Sequence, residues 1–217
     1  MRVYHFLSEH FGLEDIRLRR LKIARIADLN DPFEFLARAD SVLTRSALRA
    51  TKEEQSKKTG LLCFSSNWHN PVQWSHYADR HRGLCLGFDI SDAVAKPVSY
   101  RKTPLLFDLA RFKEDPHYAQ QFADRMVSSK FSDWSYEEEV RLYVRLEPKA
   151  EIDGFYFLEF SNDLKLSEVI VGPASTLTKH QLISALGDLA RQVVVRKARM
   201  AFKSYRIVEQ RDSNLWP

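Results

Sequence analysis

Cysteine is almost missing from these 217 residues, with Cys63 and Cys85 the pair present. Two thiols cannot build a disulfide scaffold or, by themselves, a structural zinc cage. Each sits in an apolar run, which predicts reduced, buried thiols. Glycine and proline are sparse too, at 7 and 8. That excludes collagen-like and linker-rich chains. No stretch approaches the roughly 18 apolar residues of a membrane-spanning helix. The opening Met1-Arg2-Val3-Tyr4-His5-Phe6-Leu7-Ser8-Glu9 lacks the apolar core of a secretory leader. A cytoplasmic chain with no membrane partner is therefore expected. Gly-x-Gly-x-x-Gly, the Walker loop and the Gly-x-Ser-x-Gly elbow do not occur. The sequence thus has no glycine-based phosphate cradle and no hydrolase serine elbow.

What is present is the composition of a folded chain, 44% hydrophobic and 29% charged. The length suits one domain over 1–217, with the polar segment 44–58 as an exposed helix end or a mobile insertion. The net charge of +4 is too mild to imply a polyanionic partner by itself. Its distribution says more. Residues 191–211 hold Arg191, Arg196, Lys197, Arg199, Lys203, Arg206 and Arg211 against Glu209 alone. A solvated face explains most such runs. Phosphate contact through Arg196, Lys197, Arg199 and Lys203, with Phe202 and Tyr205 for stacking, is the functional alternative.

Periodicity places strands at Arg2–Phe6, Lys22–Ala27, Phe155–Phe160, Glu168–Val171, Val193–Val195 and Tyr205–Val208, and helix-like segments at Leu13–Leu21 and 105–129. Asn30-Asp31-Pro32-Phe33-Glu34 reads as a capped helix start, with Asp31 as cap. Asn70-Pro71-Val72-Gln73 repeats that grammar. Its helix carries Trp74, Tyr77, Ala78 and His81 on one stripe, with Gly83 as a left-handed stop. Thr178 and Gln181 cap another helix. Trp134–Leu146 alternates apolar and charged residues and predicts a long strand. Strands and helices mix without strict alternation. The expected fold is α+β, a mixed, largely antiparallel sheet with several flanking helices in a single domain.

Chemistry concentrates at Glu137 and Glu139. On a strand they share a face about 7 Å apart. Two carboxylates at that spacing repel by about 2.4 kcal/mol at an effective dielectric near 20. That separates their pKa values and fits one for base or cation-stabilising work. A solvated outer face with Glu/Arg pairs is the other reading, and Arg141 on that face weakens the repulsion. Trp134 and Tyr136 nearby offer rings for stacking. His5 is a donor to a ligand or a satisfied sheet residue. Tyr77 is core or a stacking ring. His69, His76 and His81 lack the spacing of a helix-borne zinc site, so no structural metal is expected.

An ordered set of blocks carries a resemblance. Asn30-Asp31-Pro32-Phe33-Glu34 is followed by Cys63-Phe64-Ser65, then by Trp74-Ser75-His76-Tyr77-Ala78. Gly83-Leu84-Cys85-Leu86-Gly87-Phe88-Asp89 comes next. Lys130 and Trp134-Ser135-Tyr136-Glu137-Glu138-Glu139-Val140-Arg141 follow, and Val169-Ile170-Val171-Gly172 lies near the end. This series resembles domain of unknown function 2971, a bacterial and phage family. A coarser resemblance is to the ADP-ribosyltransferase superfamily. There a first-strand His, a serine ending a middle strand, an aromatic residue and a late-strand Glu-x-Glu follow in the same order.

That resemblance implies an enzyme using NAD as co-substrate. His5 would hold the ribose or phosphates, Ser65 would brace the pocket and Tyr77 would stack on nicotinamide. Glu139 or Glu137 would stabilise the developing cation and orient an acceptor, protein or nucleic acid. Trp134 joins the expected cofactor-binding set. Two alternatives remain open. One is a non-catalytic nucleic-acid-binding or phage-defence-associated module. The other is a magnesium-dependent hydrolase or nuclease using Asp31, Glu34, Glu137 and Glu139.

Overall fold

The computed structural model describes residues 1–216. Its first half contains β1 (Arg2–Leu7), α1 (Glu9–Leu18), β2 (Arg20–Arg25), α2 (Val42–Lys58), β3 (Thr59–Ser65), α3 (Pro71–Tyr77), β4 (Leu84–Ile90), β5 (Lys96–Pro97) and β6 (Ser99–Arg101). Its second half contains α4 (Leu109–Glu114), α5 (Pro116–Val127), β7 (Ser129–Phe131), β8 (Glu139–Arg145), β9 (Tyr156–Glu159), β10 (Leu164–Val171), α6 (Lys179–Leu186), β11 (Val194–Met200) and β12 (Ile207–Glu209).

One ten-stranded sheet runs β12-β11-β10-β4-β1-β3-β2-β9, with β8 on β3 and β5 on β8. Within it β10 and β11 are parallel and the other pairs antiparallel. The α+β expectation, with a mixed and largely antiparallel sheet, holds. Segment 44–58 takes the helical alternative and forms most of α2, capped by the Ser41 hydroxyl.

The sheet opens at β3. One edge of that strand pairs with β8 from Thr59↔Arg145 to Ser65↔Glu139. The other edge is shared, by β1 at Tyr4↔Ser65 and by β2 at Ala24↔Leu61 and Arg25↔Gly60. Between them, among the described residues, Leu62, Cys63 and Phe64 have no ladder partner on that edge. A buried carbonyl left there needs another donor. The His5 ring supplies it, with Nδ1 donating to the Cys63 carbonyl at 2.8 Å.

The two faces of the sheet differ. One face packs Leu62, Phe64, Val140 and Leu142 with Ile16 of α1 and Leu182 and Leu186 of α6 in the main core. The other carries Leu61, Cys63, Glu139, Arg141 and Tyr143. It is roofed by Ile26, Phe35 and Val127 and, beyond them, by a satellite core of Leu48, Leu105, Phe107, Phe122 and Met126. Of the two readings the sequence leaves open for this face, solvated or inward, the inward one holds.

Several local expectations change. Trp134–Leu146 is not one strand. Ser132–Glu137 is a 3-10 turn, Glu138 sits in the left-handed region at φ 45°, and the strand begins at Glu139. Asp31-Pro32-Phe33-Glu34 is a turn and starts no helix. Asp31 Oδ1 caps the Phe33 amide, and nothing extends the turn past Phe35. Helix α3 stops at Tyr77, four residues short of His81. Asp79, Arg80 and His81 then take positive φ, at 42°, 52° and 71°. Gly83 is thus no helix stop. A Cβ there would lie 2.0 Å from the Leu7 carbonyl oxygen, so close backbone approach demands glycine. Residues 105–129 break into two helices at Asp115-Pro116. The Thr178–Gln181 capping box forms as read.

Candidate active site

Glu34, Lys130, Glu137, Glu139 and Arg141 gather in the roofed layer, all at most 7% exposed. Strand β8 supplies Glu139 and Arg141, which share a face at i and i+2. The turn before β8 supplies Glu137, β7 supplies Lys130, and the 31–35 turn brings in Glu34.

The pairing is close. Arg141 Nη2 donates to both Glu34 oxygens at 2.7 and 2.8 Å, and Arg141 Nε to Glu139 Oε1 at 2.7 Å. Its Nη1 donates to the Val127 carbonyl at 2.8 Å. Lys130 Nζ donates to Glu137 Oε2 at 2.5 Å and Glu139 Oε2 at 3.0 Å, and lies 3.3 Å from Glu34 Oε1. Tyr77 Oη donates to the other Glu137 oxygen at 2.6 Å and accepts from Asn30 Nδ2 at 3.0 Å.

The expected repulsion between Glu137 and Glu139 is overturned, because an ammonium group sits between them. Burial would raise the Glu139 carboxyl. The hydrogen bond and charge of Arg141, then Lys130, hold it below the usual carboxylate range. Burial would lower the Lys130 ammonium, yet Glu139, Glu137 and Glu34 keep it above its ordinary value. For Glu34 burial wins, and its carboxyl is raised despite Arg141 and Lys130. Three carboxyl groups thus share two cations. The Lys130 ammonium stands among these three carboxylates.

The cluster opens on a cavity of about 290 Å³ whose wall includes His5, Ser65, Tyr77, Lys130, Glu137 and Glu139, with Asp28, Leu29, Asn30 and Gln73 nearby. It lies where the sheet parts between β1 and β2, and Tyr4, Phe6, Ala24, Cys63 and Phe64 complete much of its lining. Five of the six residues singled out from the sequence meet here.

Trp134 is the exception. It is absent from the lining and packs behind the cluster, with Lys130 Nζ 5.2 Å from its ring centre. Ser65 lines the wall with its hydroxyl already engaged. It donates to the Asn67 carbonyl at 2.9 Å and accepts from the Asn67 amide and Gln73 Nε2 at 3.0 and 3.1 Å. His5 Nε2 makes no hydrogen bond among the described residues. Burial lowers the His5 pKa, outweighing the bond to the Cys63 carbonyl. Its neutral ring then offers Nε2 as an acceptor. Burial first, then Glu137, raises the Tyr77 hydroxyl, which stays a donor. The Cys63 thiol is raised well above its usual value, by burial and then by Glu139, and is a poor nucleophile.

Sequence reading missed two parts. Gln73 reads as a capping side chain. Instead its Nε2 reaches across to the Tyr136 and Glu137 carbonyls at 2.9 and 3.0 Å, pinning the turn that carries Glu137. Tyr100 accepts from the Glu139 amide at 2.8 Å and gives no sequence signal. Glu34 reads as part of a capped helix start or as a magnesium ligand beside Glu137 and Glu139, and its partner Arg141, 107 residues away, gives no local signal.

Fold and site together describe an α+β protein with a buried ion cluster at the floor of a cleft in its sheet. Residues 73–142 match the family model described as protein of unknown function (DUF2971), so the resemblance read from the sequence is shown over that segment. The segment contains Gln73, Tyr77, Lys130, Glu137, Glu139 and Arg141, while His5, Glu34 and Ser65 lie outside it. No curated protein and no solved structure matches the chain. Among the described residues no helix is long and apolar enough to cross a membrane.

Proposed function

We propose that the protein transfers ADP-ribose from NAD, with Glu137 as the carboxylate beside the reacting carbon. The observation that carries this reading is the convergence of His5, Tyr77 and Glu137, from three separated segments, on one cavity. Its volume of about 290 Å³ suits a single nicotinamide–ribose end and not a whole dinucleotide, so the adenylate portion lies outside.

The residues take distinct parts. Glu139 is fixed on both oxygens by Arg141 and Lys130. Glu137 keeps one oxygen on Lys130 and the other on the Tyr77 hydroxyl, which a ligand can replace. In the reaction the ribose C1′–nitrogen bond breaks, and its electron pair leaves on nicotinamide. Positive charge then grows on the ribose, beside a carboxylate held ready in a water-poor pocket. The acceptor forms the new bond at C1′ and loses its proton. His5 Nε2 accepts from a ribose hydroxyl, and the Tyr77 ring bounds the nicotinamide. Lys130 and Arg141 hold the carboxylates in place.

The test is nicotinamide release from NAD, with calorimetry for NAD binding, in the wild type and Glu137→Gln. Release falls by about a hundredfold or more in the variant while the NAD affinity changes little. Absence of both NAD binding and nicotinamide release, with water, protein and nucleic-acid acceptors all supplied, overturns the reading.

A further inference from the structure

The edge formed by β11 and β12 carries a second hollow, of about 560 Å³, whose wall includes Trp68, His69, Arg199, Phe202, Lys203 and Arg211. The connection between these strands holds two aromatic rings in water. Phe202 is 91% exposed and Tyr205 98%. Rings normally repay burial more than any other side chains, so two left bare on one short loop have no packing role.

The charge around them is one-sided. Glu209 lines the hollow but is paired with Arg196 at 2.7 Å. Arg199, Lys203 and Arg211 form no ion pair among the described residues. The Arg199 guanidinium lies 4.7 Å from the Phe202 ring centre, covering one face and leaving the rest to solvent. The basic run is therefore divided. Arg196 bonds Glu168 and Glu209, and Lys197 donates to the Gly172 and Ser175 carbonyls at 2.8 and 2.7 Å. Those two hold the fold, whereas Arg199, Lys203 and Arg211 face outward.

We propose that this hollow, with the 201–206 connection at its edge, binds single-stranded nucleic acid, with unpaired bases on Phe202 in its wall and on Tyr205 beside it and phosphates on Arg199, Lys203 and Arg211. Bare rings interleaved with unpaired cations match a strand that presents π-faces and phosphates in alternation. An acidic peptide would use the cations but not the rings. A duplex keeps its base faces stacked inside. The site lies beside the cavity. Trp68 in its wall is three residues from Ser65 in the cavity wall, which bounds their Cα separation at about 11 Å. The proposal does not rest on the NAD reading.

The test is fluorescence anisotropy of a labelled oligothymidylate of about 12 nucleotides. Three phosphate contacts predict a log affinity falling against log salt with a slope of about −2, and Lys203→Ala lowers that slope by about 0.7. Phe202→Ala and Tyr205→Ala each weaken binding at least about fivefold without lowering the melting temperature, since neither ring is packed. Absence of saturable binding overturns the proposal. So does indifference to both aromatic substitutions, or equal affinity for a duplex or for polyglutamate.

Discussion

Arg141 and Glu34 stand 107 residues apart in the chain, yet one guanidinium nitrogen donates to both oxygens of that carboxylate, at 2.7 and 2.8 Å. Both side chains are sealed from solvent. The same guanidinium reaches Glu139, which faces Lys130, which in turn faces Glu137. The roof over β8 is thereby tied to the carboxylate in the cavity wall through a continuous chain of charges.

Removing one member of such a cluster leaves the others buried without compensation. Arg141→Met is expected to cost about 3–5 kcal/mol of unfolding free energy, read from urea denaturation. A loss below about 1 kcal/mol would show that water reaches the cluster and that its burial is not what orders it.

Tyr77→Phe deletes the donor to Glu137 but keeps the ring. Stability is expected to fall by about 1 kcal/mol, since Lys130 remains and water can enter from the cavity. Nicotinamide release is expected to fall about tenfold, by misplacement of the Glu137 carboxylate. Unchanged release would separate the hydroxyl from the chemistry.

The pH dependence of stability has a contribution of known sign from Asp15, on the buried face of α1. Burial first, and then Glu14, raises its carboxyl from 3.8 to about 7. A raised folded pKa contributes stability in full below the unfolded value and loses it as pH rises through the folded one. The wild type should therefore lose stability between about pH 4 and 7 relative to Asp15→Asn. Melting temperatures measured across that range check it, and parallel curves for the two proteins contradict it. Glu139 acts in the opposite sense. Its depressed carboxyl contributes stability above the ordinary carboxylate range, and acidification through its folded pKa removes it.

Gly83→Ala would place a methyl group 2.0 Å from the Leu7 carbonyl oxygen, with the Ala78 backbone at 2.9 Å on another side. Backbone cannot yield as a flexible side chain does. The expected cost is about 3 kcal/mol or more, by thermal or urea unfolding. A near-neutral result would mean that the β1–β4 contact shifts freely.

The amino-acid order alone determined the local grammar. The Asn70 and Thr178 caps, the strand character of Arg2–Phe6 and the i, i+2 relation of Glu139 and Arg141 depend on neighbours a few residues away, and all are visible in the string. So was the α+β class, because it follows from the mixture of periods. Tertiary structure decided whether the charged side of β8 meets water or protein. Alternation marks a face, but it cannot say what covers that face. The cover comes from 26–39 and 105–131, whose own patterns reveal nothing of their target. The sign of the Glu137–Glu139 coupling was decided there too. Coulomb energy depends on what stands between two charges, and Lys130 arrives from a different strand. Glu137 itself reaches the cavity because Glu138 turns the chain through a left-handed residue, a conformation that an acidic tripeptide does not announce.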